Sequence, residues 1–458
     1  MRRFMSKLVK SLRSTNKARA TKGGPRRAFL QVEGLENREL LSSSPLPFLD
    51  PIQAKYQSLA RAGTFLGNAT SAEMPTKYGG GIMQSFQNGD IYYSAQTGAH
   101  DIYGAIRSEF NQTDAERDAY GADVQQILGL PVADETQAPG VAGYARETQF
   151  QGGALYYSAA TGAHAVYGAI GAKYNAMGGP TQFGLPISEE AHAFGLLGNV
   201  RVTRFQNGGD IYWSQATGAH FVHGAIGAEY DHTGYRHDAF GNVVRTVLGA
   251  PTSDEMDVSG VPGARMNTFQ GGAIYYSATA GAHVVYGAIG AKYNAMGGPT
   301  QFGLPLSDEV PAFGLQGNVR VQQFQNGIGG AIYWSQATGA HFVHGLIGVE
   351  YAATANERDF FGRNVQTLLG APTSDEMDVP GVPGARMNTF QGGAIYWSPS
   401  TGAHVVYGAI LAKYNSIGGP ASFLGLPITD ELGFPGGRVS YFQHGRIVWT
   451  PSGGAVVQ

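Results

Sequence analysis

The chain has 458 residues, 43% of them hydrophobic and 14% charged, with 68 glycines, 11% aromatic residues and no cysteine. That apolar content supports a real core, while the lack of a Gly-X-Y period excludes collagen and the lack of cysteine excludes disulfides, thiol catalysis and Cys-held metals. The net charge of −3 divides into +8 on residues 1–45 and −11 on the rest, a mildly acidic body that argues against a nucleic-acid partner, and no run of 18 apolar residues predicts a membrane span.

In chain order, residues 1–28 carry ten Lys/Arg and no acid. They lack the apolar stretch of about 7–15 residues that a secretory signal needs, so residues 1–48 read as a basic, disordered tail. Within it, Leu35-Glu36-Asn37-Arg38-Glu39-Leu40-Leu41 resembles the Leu-Glu-x-Arg-x-Leu-Leu motif near the N-terminus of many exported planctomycete proteins. Asn37 stands where Pro is common. The resemblance implies export.

Residues 49–458 read as a repeat domain. A Phe-Gln anchor recurs at Phe86, Phe150, Phe205, Phe269, Phe324, Phe390 and Phe442, at intervals of 64, 55, 64, 55, 66 and 52 residues. Long and short units therefore alternate. Each opens with a strand such as Phe269–Ser277, then a Thr-Gly or Ala-Gly turn and a second strand, Ala-His-x-Val-Tyr-Gly, which together predict a hairpin. A helical segment follows, for example Ala169–Tyr174, in which Ile170 and Tyr174 share a face. A Gly-x-Pro loop ending in an acidic pair leads to the next unit. The long units insert about nine residues before this loop, containing residues 117–121, 237–241 and 358–362. Insertions that recur per repeat often mark a binding face.

The loop sequences Leu128–Pro131, Phe183–Pro186, Leu248–Pro251, Phe302–Pro305, Leu369–Pro372 and Leu424–Pro427, with the Ile-Tyr-Trp-Ser and Thr-Gly-Ala-His elements, resemble the LGFP repeats of bacterial envelope proteins. The Phe that names the repeat is Leu or Ala here. Six units are complete. A seventh is split between residues 49–75 and 432–458: residues 52–73 align without gaps to 410–431, supplying the helix and loop that the C-terminal strands lack. The expected fold is β-rich with one short helix per unit, closed into a propeller-like ring of about seven units. An open solenoid with capped ends is the alternative.

Six histidines are equivalent: His100, His164, His220, His283, His341 and His404. At 56–64 residues apart, one per unit, they do not resemble a metal-ligand set, and no metal or cofactor is expected. A structural hydrogen bond or a ligand contact are the roles left open. The acidic pairs Asp134-Glu135, Glu189-Glu190, Asp254-Glu255, Asp308-Glu309, Asp375-Glu376 and Asp430-Glu431 read as turn residues, because adjacent carboxylates seldom flank a scissile bond. The aromatic pairs of the first strand point to opposite faces, so the second ring of each is a ligand candidate: Tyr93, Tyr157, Trp213, Tyr276, Trp334 and Trp397. No nucleophile elbow, phosphate loop or zinc-protease motif occurs. The expectation is a non-catalytic extracellular or envelope protein holding cell-wall or extracellular glycan through several similar sites. A scaffold for other surface proteins is the alternative, and a polysaccharide hydrolase a third.

Overall fold

A computed structural model describes residues 50–325 and 330–458; the basic tail and its Leu35–Leu41 motif lie outside the described residues. Seven four-stranded antiparallel sheets follow one another along the chain, within residues 74–103, 136–167, 191–223, 256–286, 310–343, 377–407 and 432–457. Each is a meander whose neighbours in sequence are neighbours in space. The predicted hairpin forms its third and fourth strands. In the fourth sheet Gly272 faces Tyr286, Tyr275 faces His283 and Ser277 faces Gly281. Gly281 takes a φ of +86°, a value a β-carbon disfavours, and the Ser277 hydroxyl accepts the Ala280 N–H inside the turn. A two- or three-residue strand precedes each hairpin pair and widens the sheet to four.

The first six sheets are each followed by a nine-residue helix, and Pro51–Arg61 precedes the first sheet. These helices pack on the sheet that follows them, so the hydrophobic core sits at the junctions between units. One core joins Tyr156, Ile170, Tyr174 and Phe183 to Phe205, Ile211 and Phe221 of the next sheet. The anchor Phe of each sheet stacks on the aromatic ring of the preceding helix, with centroids 4.5–4.9 Å apart at all seven junctions. Burying two such rings contributes on the order of 3–6 kcal/mol per junction before conformational entropy is counted.

The loop signature has a physical explanation. Its glycine turns at φ of +67° to +78°, and its backbone carbonyl accepts the helix tyrosine hydroxyl at 2.5–2.9 Å at six junctions. The next residue's N–H is accepted by the side chain of the Gln after the anchor Phe, at 2.8–3.0 Å, in every unit. That next residue is where the repeat's named Phe would stand. Leu130, Leu185, Ala250, Leu304, Ala371 and Leu426 there are all at most 2% exposed, so the position serves the core.

The two terminal halves take the same local form as their counterparts. Asp50 caps the first helix by accepting the Ile52 N–H, and Tyr56 stacks on Phe86 of the first sheet. The last sheet receives Tyr414 on Phe442. Among the described residues no hydrophobic core joins the first sheet to the last. No helix of the described residues is long and apolar enough to cross a membrane.

Candidate binding clefts and charged junctions

The first ring of each aromatic pair enters the core: Tyr92, Tyr156, Tyr212, Tyr275 and Tyr396 are buried and Tyr333 is half-buried. The second rings, Tyr93, Tyr157, Trp213, Tyr276, Trp334 and Trp397, are all half-buried. Their surroundings differ. Tyr93, Tyr276 and Trp397 lie against core clusters, and Tyr157 meets the edge of Tyr144 at 6.5 Å. Trp213 and Trp334 also lie against core clusters, and in addition they meet the insert loops of long units that lie two sheets earlier. Tyr120 stands edge-on to Trp213 at 5.6 Å, and Phe240 to Trp334 at 5.4 Å. Phe360 and Phe361 do the same to Trp449 at 5.6 and 5.8 Å.

Each insert loop is held by its own aspartate. Asp118 accepts the N–H of Tyr120 and Ala122, Asp238 those of Phe240 and Asn242, and Asp359 those of Phe361 and Arg363. The loops then bond two sheets on, where Asn199 and Asn318 donate to the carbonyls of Ala119 and Ala239. A cleft of about 270 Å³ opens between Asp118, Tyr120, Tyr167, Ile170, Glu190 and Trp213. Its counterpart of about 290 Å³ lies between Asp359, Phe360, Tyr407, Ile410, Glu431 and Trp449. Both are near the lower end of small-molecule sites, with apolar walls and a few polar groups. Burial pushes the carboxyls of Glu190 and Glu431 up, against the pull of Arg201 and Arg438. The inserts are flagged by sequence; their partner Trp449 is not, because it belongs to the split unit.

The six histidines are kept apart, one per sheet. Each Nε2–H donates to the turn carbonyl three residues before it at 2.7–2.9 Å, which places that proton. Each Nδ1 faces the first residue of an acidic pair at 2.5–3.8 Å. The same carboxylate accepts the N–H after the histidine in five of the six. The neighbouring carboxylates of Glu189, Asp308 and Asp430 hold His164, His283 and His404 above the ordinary imidazole value. The second residue of each acidic pair binds an arginine of the following sheet at 2.8–3.2 Å. These pairs therefore stitch units together in addition to shaping a turn. His223 and His344, which replace tyrosines of other units, reach Glu255 and Glu376 at 3.1 and 3.2 Å.

A residue of the preceding helix or insert completes four of these junctions with a cation. Lys55 pairs with Asp134, Lys173 with Asp254, Lys292 with Asp375, and Arg236 lies between Glu229 and Asp308. The other two junctions gather Glu109, Glu116 and Glu189, and Glu350, Glu357 and Asp430. Burial and the charges of Glu189 and Glu116 push the Glu109 carboxyl up to about 7. Burial with Asp430 and Glu357 pushes Glu350 up to about 8. The sequence reading missed these clusters. Their signal was there, in the alternation Lys55, Glu109, Lys173, Glu229, Lys292, Glu350, Lys413 along equivalent helices.

Comparison with known proteins gives a family. The LGFP repeat model matches residues 66–118, 128–182, 183–238, 248–301, 302–359, 369–422 and 424–457. No curated protein matches the chain. Among solved structures, it is similar to the extracellular domain of a one component system from B. thetaiotaomicron, at 11% identity over 84% of this chain and a TM-score of 0.13. A second is the extracellular domain of a hybrid two component system from the same organism, at 10% identity over 84% of this chain and a TM-score of 0.13. A third is PorZ, a surface component of the type-IX secretion system of Porphyromonas gingivalis, at 6% identity over 86% of this chain and a TM-score of 0.12. The chain spans 48% of the length of the first two and 39% of the third, and TM-scores this low assign no fold. With seven family matches, each meeting one of the seven sheets, the chain belongs to the LGFP repeat family.

Proposed function

We propose that the chain is a non-catalytic, exported protein that attaches to cell-wall or extracellular glycan through the clefts under its insert loops. The observation that carries this reading is the repeated pairing of an insert-loop aromatic with a tryptophan two sheets on, at Trp213, Trp334 and Trp449. A half-buried indole beside a second ring offers an apolar face to a sugar ring, and aspartate and glutamate at the same cleft offer acceptors to its hydroxyls. Repetition adds avidity when each site is weak. The basic tail with its Leu35–Leu41 motif supports export.

Retention on isolated cell-wall material, with free sugars as competitors, tests the reading. Trp213→Ala with Trp449→Ala should reduce retention at least tenfold, while Tyr276→Ala, remote from any insert loop, should leave it unchanged. Wild-type indifference to both wall and sugar would end the proposal. A surface scaffold is the second reading. It is favoured by Phe194 and Phe313, which stand 81% and 99% exposed on the turns of the third and fifth sheets. Partner binding lost on Phe313→Ser, without glycan retention, would select it.

We also read the repeat domain as an open array in preference to a closed ring. The helix Pro51–Arg61 already covers the first sheet and Gly408–Ser416 the last, so both halves of the split unit have partners without meeting. Removing residues 49–75 should then weaken the first sheet alone; loss of stability along the whole array would support the ring.

A further inference from the structure

The charged junctions are six versions of one arrangement, and four of them show what the arrangement requires. The acid beside the histidine meets a Lys ammonium or the Arg236 guanidinium supplied by the preceding helix or insert. In the fourth junction Arg236 bridges Glu229 and Asp308, so its cationic head occupies the space between two carboxylates. In the second and sixth junctions the residues equivalent to Arg236 are Glu116 and Glu357. Carboxylate thus stands where a cation belongs, and no Lys or Arg forms an ion pair with these three-acid clusters among the described residues.

We propose that each of these two clusters, Glu109–Glu116–Glu189 and Glu350–Glu357–Asp430, binds a calcium ion. Three observations converge on an ion of that kind. First, the ligand oxygens of each cluster all lie within 4.8 Å of one another. Opposite ligands on a calcium ion stand about 4.6–5.2 Å apart, against about 4.2 Å for magnesium, so one calcium can touch all three. Second, the site holds a buried group with nothing to bond. Glu109 is 8% exposed, and Glu350 Oε1 is wholly buried without a hydrogen-bond partner. An isolated buried carboxylate is costly unless a cation meets it. Third, the charges balance. His164 donates from Nε2 to Thr161 and approaches Glu189 with Nδ1 at 2.5 Å, a geometry that suits a proton on both nitrogens. With all three carboxyls ionised by the bound cation, three carboxylates and one imidazolium leave −2, which a single divalent cation neutralises. The donors are all carboxylate oxygens, which suits a hard cation over zinc or copper. Each ion would tie a helix and an insert loop of one long unit to the acidic pair beyond the next sheet, and so occupy the place of the Lys or Arg found elsewhere.

Calcium chloride titrated into the chelator-stripped full chain tests this by calorimetry or equilibrium dialysis. Two ions per chain are expected, with filling complete by about 1 mM, the upper end for extracellular oxygen-ligand sites. Glu116→Arg and Glu357→Arg rebuild the arrangement already present at Arg236, so each should fold and remove one ion; the double variant should bind none. Arg236→Glu should raise the count to three. No uptake by the wild type at about 1 mM calcium overturns the proposal. So does uptake that Glu116→Arg and Glu357→Arg leave unchanged. Should a variant fail to fold, the wild-type Tm decides: calcium is expected to raise it by several degrees more than magnesium at equal concentration, and an equal or absent shift overturns the assignment.

Discussion

The junctions that follow long units and those that follow short units share one core and differ at their edges. At a short junction such as Tyr293 on Phe324, the helix ring, its hydroxyl bond to Gly303 and Lys292 on Asp375 are the connections. At a long junction such as Tyr230 on Phe269, the same ring bond to Gly249 is joined by an insert loop that crosses to the sheet beyond. Stability thus resides in a repeated interior, while variation in the cleft walls is confined to alternate units. That division lets a cleft change its aromatic wall, as Tyr120, Phe240 and Phe361 do, without touching the packing that holds the array.

The comparison can be broken at the core. Tyr230→Ala and Tyr293→Ala should each cost about 3–5 kcal/mol in denaturant unfolding, because each empties a fully buried ring site. Equal losses mean that the two kinds of junction rest on the same interior. A much smaller loss at Tyr230 would mean that the insert loops carry the long junctions. A finer probe is the hydroxyl. Tyr293→Phe should cost about 1 kcal/mol by leaving the Gly303 carbonyl without its donor. The second junction already has Phe110 in this place, so Phe110→Tyr should gain a comparable amount, read as a rise in Tm. At the edge, Lys173→Gln should cost only about 0.5 kcal/mol, since the pair with Asp254 is partly solvated.

The smallest expected effect is a pH dependence at the fourth junction. His283 lies beside the carboxylates of Asp308 and Glu229, which raise its folded pKa above the ordinary imidazole value. Its contribution is therefore complete below about pH 6.5 and disappears as pH rises through the folded pKa. His283→Gln should lower Tm more at about pH 5.5 than at about pH 8.5. The opposite order would show that the Nδ1 contact with Asp308 does not favour the charged ring.

Much of the fold was legible in the residues. Alternation in Ile274-Tyr275-Tyr276-Ser277 reads as a strand, and the Ala280-Gly281 turn fixes the hairpin register. Ile170 and Tyr174 on one face give the helix and its buried side. The Leu-Gly-x-Pro loop was recognisable, although the burial of its third residue appears only when the Gln after Phe is seen to hold that residue's N–H. The clefts were half legible. The inserts stood out by length, but no local pattern says that Tyr120 will meet Trp213, which lies 93 residues along the chain. The carboxylate clusters were hidden for the same reason. Glu109 on its helix looks like a solvated acid until the next unit's acidic pair is placed over it.

The crossing of each insert loop to the second sheet beyond has a consequence for how such a chain grows or shrinks. Excising two consecutive units brings an equivalent tryptophan back under a loop whose partner sheet lay beyond the cut, so that ring contact re-forms. Excising one unit leaves a loop whose partner sheet lay beyond the cut facing a sheet of the other kind, which has no equivalent asparagine. The heritable module is thus the pair of about 119 residues, and chains gained or lost by recombination should differ in length by whole pairs.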